Sequence, residues 1–239
     1  MLSRRFLGSL VPSLAFAAFT LMACGGEQKE VKKPTYEDDD ERDHLDGMQV
    51  MQEYGGMNEE KVNKTIESLY PSLESCLMKG YERVEFLGGE MAFLVKVNMS
   101  GVAEHAQAER STLGDFQTEQ CMLGKLKDSR WPKPVGGRIG LVRSSIAFDP
   151  PAEVRSPVEW TENDVASTLA KAEGDLKACG NGGPYLVTAY IRTNGKVLSA
   201  GVAHADDGGD DVAACLVGAV QNIKFPSPGS WPAKVTFSL

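Results

Sequence analysis

The sequence predicts an α+β protein built from two tandem small units, each running helix, strand, strand, helix, strand and each tied by an internal disulfide. Three observations predict it. Laid against itself at an offset of 94 residues, the chain aligns Gly101 with Gly195, Gly114 with Gly208, Cys121 with Cys215 and Gly124 with Gly218, and Trp131-Pro132-Lys133-Pro134 with Phe225-Pro226-Ser227-Pro228. Earlier in each half a second cysteine, Cys76 or Cys179, ends a helical pattern ahead of a glycine-bounded strand. In both halves the apolar spacing also passes in the same order from helical to alternating.

The chain begins with a different kind of segment. Residues 1–23 carry Arg4 and Arg5, no acid, and then a mostly apolar stretch interrupted by Pro12, which is the pattern of a secretory signal rather than a membrane span. The stretch ends Leu21-Met22-Ala23-Cys24-Gly25, which resembles the bacterial lipobox and implies cleavage before Cys24 and a diacylglycerol on its thiol. Ser3-Arg4-Arg5-Phe6-Leu7 also resembles a twin-arginine signal, so two export routes stay open. Gly25 and Gly26, with no aspartate after the cysteine, favour the outer membrane by resemblance to lipoprotein sorting rules.

Removing residues 1–23 takes away two arginines and no acid, so the formal charge goes from −8 to −10. Such a chain is a poor partner for nucleic acid and for anionic lipid, leaving covalent lipid as its means of staying on a membrane. Residues 24–57 are rich in charge and glycine, including Glu37-Asp38-Asp39-Asp40-Glu41-Arg42-Asp43, and read as an acidic tether with a reach of about 30 Å. This run and His44 are also candidates for a cation site. The run lacks the spaced carboxylates that wrap a cation, so the solvated reading is preferred and no metal or cofactor is expected.

The first unit is placed at 58–150. Asn58 caps a helix with Val62, Ile66 and Leu69 at helical spacing, and Pro71 fits the first turn of a continuation carrying Leu73, Cys76 and Leu77. Residues 91–99 alternate as a strand, Ser100-Gly101 forms a two-residue turn, and 102–108 return. Asp115 caps a short helix with Met122, Leu123 and Leu126, and after the Trp-Pro break 139–148 form the last strand.

Pro150, Pro151 and Pro157 mark a linker over 151–162. The second unit, 163–239, repeats the order: a helix over 163–178, strands at 185–192 and 196–203 around Asn194-Gly195, a second helix, and a strand at 233–237. In that second helix Val212, Cys215, Leu216 and Ala219 fall at i, i+3, i+4 and i+7, which places Cys215 on a buried stripe.

Setting aside Cys24, four cysteines remain in a compartment where disulfides persist. Of the three possible pairings, the repeat selects Cys76 with Cys121 and Cys179 with Cys215, each bridge within its own half. A redox-active dithiol would favour a Cys-x-x-Cys pair at a helix start, and the sequence has none.

The series Cys76, Ser100-Gly101-Val102, Ser111-Thr112-Leu113-Gly114-Asp115, Cys121, Trp131-Pro132-Lys133-Pro134 and Gly136-Gly137 resembles the AgmX/PglI-type C-terminal domain, itself similar to the TonB C-terminal domain. The second half keeps fewer of these residues. The resemblance implies two tandem TonB-like units, no catalytic residues, and partner binding in which an extended strand is accepted along a sheet edge. Force transmission in such families uses an inner-membrane helix, in place of which this chain has a lipidation signal.

No Gly-x-Ser-x-Gly elbow, phosphate-binding loop or His-Glu-x-x-His motif occurs. His105 and His204 fall at different places in the repeat and read as surface residues, Asp206, Asp207, Asp210 and Asp211 read as helix-capping acids, and Trp131 and Phe225 as core plugs. The first expectation is a non-catalytic, lipid-anchored module of the cell envelope, facing the periplasm, that docks a partner protein and takes no small-molecule substrate. The second is a structural or accessory lipoprotein of an envelope assembly, and the third a hydrolase. A polar pocket with shifted pKa values would favour the enzyme, an uncovered edge strand the docking module.

Overall fold

A computed structural model describes residues 52–180, 184–205 and 209–239. They belong to one compact unit, Gln49–Leu239, whereas Met1–Met48 and the readings that fall there lie outside the described residues. The chain is α+β, with four helices and two four-stranded sheets among the described residues. The elements are β1 (Gln52–Gly55), α1 (Glu59–Tyr81), β2 (Gly89–Asn98), β3 (Ala103–Ser111), α2 (Phe116–Lys127) and β4 (Gly137–Phe148). They continue with β5 (Val158–Trp160), α3 (Glu162–Lys177), β6 (Tyr185–Ile191), β7 (Val197–His204), α4 (Asp210–Asn222) and β8 (Ala233–Ser238).

The sheets have matching orders, β1-β4-β2-β3 and β5-β8-β6-β7. In each, two antiparallel pairings are flanked by a short leading strand that runs parallel to the last strand. That leading strand is absent from the expected order. β1 lies in the stretch read as tether and β5 in the stretch read as linker, and neither is long enough to show an alternating pattern.

Sequence landmarks account for the local structure. The Lys61 amide donates to the Asn58 side chain at 2.9 Å and starts α1. α1 then runs unbroken through Pro71, contrary to the expected restart. Pro71 lacks the N–H of its turn, and because it stands on the exposed face the unpaired carbonyl can meet water. Gly101 and Gly195 take φ of +77° and +78°, and a Cβ on either would strike the carbonyl oxygen of Trp131 or Phe225 respectively. The Trp131 and Phe225 amides donate to the Gly101 and Gly195 carbonyls at 2.9 and 3.0 Å. Each buried ring thus plugs its core behind a glycine turn.

Cys76 is bonded to Cys121 and Cys179 to Cys215, spanning 45 and 36 residues. The first bridge ties α1 to α2 and sits against a core of Leu73, Phe93, Val95, Met122 and Trp131. The second joins the end of α3 to α4 at the surface. Cys215 is exposed, correcting the buried-stripe expectation, because the face of α4 that enters the core carries Ala213, Leu216, Val217 and Val220.

Candidate functional site

β4 is longer than its neighbours can cover. It pairs with β2 from Ile139 to Phe148, but β1 reaches only Gly137, Ile139 and Gly140 before the chain turns into α1. Among the described residues, 141–148 therefore present their outward backbone groups to no strand, and no loop amide or carbonyl bonds to them. At about 3.3 Å per residue this stretch is about 26 Å long. The equivalent stretch of β8, past its pairing with β5, is only 236–238.

The far end of this edge has a shelf. Phe148 stacks on Tyr70 of α1 with ring centroids 6.0 Å apart, and Tyr70 is 46% exposed. The Tyr81 hydroxyl donates to the Asp149 carbonyl at 3.2 Å. Burial pushes the Tyr81 pKa up, and the charge of Glu74, the Tyr70 ring and the charge of Asp149 push it further. Glu74 and Asp149 thus act on Tyr81 as uncompensated charges, since among the described residues no lysine or arginine forms an ion pair with either. Further along β4 the charge is matched, with Arg143 donating to Glu109 at 3.0 Å.

On the opposite side of the first sheet, β3 and α2 pack against β7 of the second. The join mixes apolar and polar groups: Tyr190 and Ala203 of the second half enter the first half's core, with buried polar side chains beside them. Asp115, at the N-cap position of α2, makes no cap bond, contrary to expectation; its carboxylate accepts from Arg83, from the Thr118 hydroxyl at 2.7 Å and from Ser199 of β7 at 2.8 Å. The Tyr190 hydroxyl and the Lys234 amine both donate to the Gly88 carbonyl, at 3.2 and 2.7 Å, and Gln107 donates to the Ala205 carbonyl at 2.8 Å.

Within this seam Glu119 is fully enclosed. One carboxylate oxygen accepts from Ser111 at 2.6 Å, and the other accepts no well-formed hydrogen bond among the described residues, although the Gly114 and Val202 amides are near the group. Its carboxylate fills the space where a side chain on Gly201 would stand. Burial raises its pKa to about 7, with a further push from Asp115, while Ser111 and the amides of Gly114 and Val202 offset part of the rise. Burial lowers the Lys234 pKa and raises that of Tyr190. Sequence reasoning missed the whole cluster, because paired strands with Thr188 and Tyr190 of β6 and Ser199 of β7 on one face read as half-solvated.

The surface grooves of about 550, 540 and 400 Å³ are lined without Glu119. Tyr190 and Lys234 border the smallest, but their polar atoms are already engaged with Gly88. His105 is half-buried against Gln107, and His204 is buried beside the Tyr185 ring and Gly209, correcting its surface assignment. Cys24, His44, Asp206 and Asp207 lie outside the described residues, as does the side chain of Asp210, while Asp211 is exposed. Among the described residues no group of three or more His, Cys, Asp or Glu is placed to hold a metal, and no helix is long and apolar enough to cross a membrane. No family model, curated protein or solved structure matches the chain.

Proposed function

We propose that the protein is a lipid-anchored, non-catalytic module of a bacterial cell envelope that docks a partner protein by accepting an extended segment along β4. The observation that carries this reading is the unpaired stretch 141–148 beside a full-length neighbour, since a row of unpaired donors and acceptors is a template for another strand. The lipobox-like ending at Cys24 supports the anchor, and two disulfides support a compartment outside the cytoplasm. The two halves, each with its sheet, disulfide and core, are read as TonB-like units on the residues that carry that resemblance.

Successive strand residues point their N–H groups to opposite edges, which gives a test. Of Ser144→Pro and Ser145→Pro, one removes a bond to β2 and the other removes only an outward donor. A photocrosslinker at Ala147 of the full chain in its native envelope is expected to capture one partner protein, and the proline variant that keeps wild-type stability is expected to abolish the capture. Capture that survives that variant, or none at all, overturns the docking reading.

A further inference from the structure

We infer that the segment accepted by β4 carries a lysine or arginine at the Phe148 end, lying over Tyr70 between Glu74 and Asp149, with apolar side chains at its other positions facing α1. This rests on the docking reading above. A strand laid against residues 141–148 turns alternate side chains to the same face as Val142, Ile146 and Phe148, which is the side occupied by the core and α1. The Tyr70–Phe148 stack brings α1 to this end of the edge, and Ile66 lies one turn before Tyr70 on the helix. Ile66 is half-buried against the core and suits an apolar neighbour. Tyr70 offers an exposed ring stacked on Phe148, with Glu74 one turn along the same helix and Asp149 next to Phe148, neither in an ion pair among the described residues.

A cation is the group that this end of the shelf favours on both counts. The ring face attracts positive charge, and the carboxylates add Coulombic attraction at a site whose protein neighbours supply none. An acidic residue there would meet like charge. An apolar one would leave Glu74 and Asp149 closer to a desolvating strand with no compensation. The long stems of lysine and arginine also span the ring while the charged head reaches the carboxylates.

The test uses the full chain in detergent and a displayed library of random eight-residue segments. The expected enrichment is for lysine or arginine at one fixed position, with apolar residues at alternating positions before it. A synthetic segment of that composition is expected to lose affinity about fivefold when its cation is replaced by norleucine, with a similar loss for the exposed-site variant Glu74→Gln and a weaker salt dependence in both cases. Segments that bind and are blocked by the edge proline, but show no preference for a cation, overturn this inference and leave docking standing. No binding by any segment overturns the docking reading and this inference with it. Concentration-dependent dimers abolished by the edge proline assign the edge to a second copy of the chain and also overturn it.

Discussion

Replacing Glu119 with glutamine is expected to stabilise the protein above pH 7 and to change little near pH 4.5. The carboxyl is pushed up to about 7 in the folded chain from 4.5 in an ordinary environment, chiefly because it is buried in the seam. Between those values the unfolded chain has released the proton that the folded chain still holds, so stability falls as pH rises. The favourable contribution is intact below pH 4.5 and is lost progressively up to about 7. Two and a half pKa units correspond to about 3 kcal/mol. Glutamine keeps the shape and stays neutral, so wild type and variant should coincide at pH 4.5 and separate by about 3 kcal/mol at pH 8. Urea unfolding of the oxidised proteins across pH 4 to 8, with slopes checked for equality, measures this directly. Parallel curves, or a variant less stable than wild type at pH 8, would refute the assignment of a neutral, buried carboxyl.

Gly201→Ala places a methyl where the Glu119 carboxylate sits, and Ser111 restrains that carboxylate, so a loss of about 1 to 3 kcal/mol is expected by urea unfolding. Removing one bridge by Cys76→Ser with Cys121→Ser opens a loop of 45 residues and is expected to cost about 4 kcal/mol, read as a shift in the urea midpoint. Cys24→Ala is expected to abolish incorporation of labelled palmitate and to release the protein from the membrane pellet. Retention with full labelling would place the lipid elsewhere.

The features legible in the sequence are those with narrow positional tolerance. Gly101 and Gly195 sit against the Trp131 and Phe225 carbonyls, where no Cβ fits, and keep the offset of 94 residues, as do Cys121 and Cys215; Cys76 and Cys179 stand 103 apart, yet each bridge closes within its own half. β1 and β5 escaped notice because strands of four and three residues carry no measurable alternation, and their pairing with residues 85 and 75 positions further along is invisible locally. The seam escaped for another reason. Thr188, Tyr190, Ser199 and Lys234 are polar whether they meet water or the other half, and only the contacts to Ser111, Gly88 and Asp115 reveal which. The candidate edge was legible as a class of device from the family resemblance, but its location was not, since it depends on where β1 stops.

The two sheets share one strand order but do not present equivalent surfaces. β3 and β7 pack against each other, which commits that side of both sheets to the seam. What remains is the side of β4 and β8, where length decides. β4 has 12 residues and pairs over ten of them with β2, whereas β8 has six, all paired with β6. Among the described residues, leading strands of similar size therefore leave the outer side of eight residues uncovered in the first half and of three in the second. Three residues offer too few outward groups to hold an extended segment against the entropy of ordering it, at about 1 to 2 kcal/mol per residue. The docking proposed above accordingly falls on the first half alone, while the second half packs on α2 and β3 at the opposite side of the sheet, bound through Ser199 to Asp115 and around Glu119.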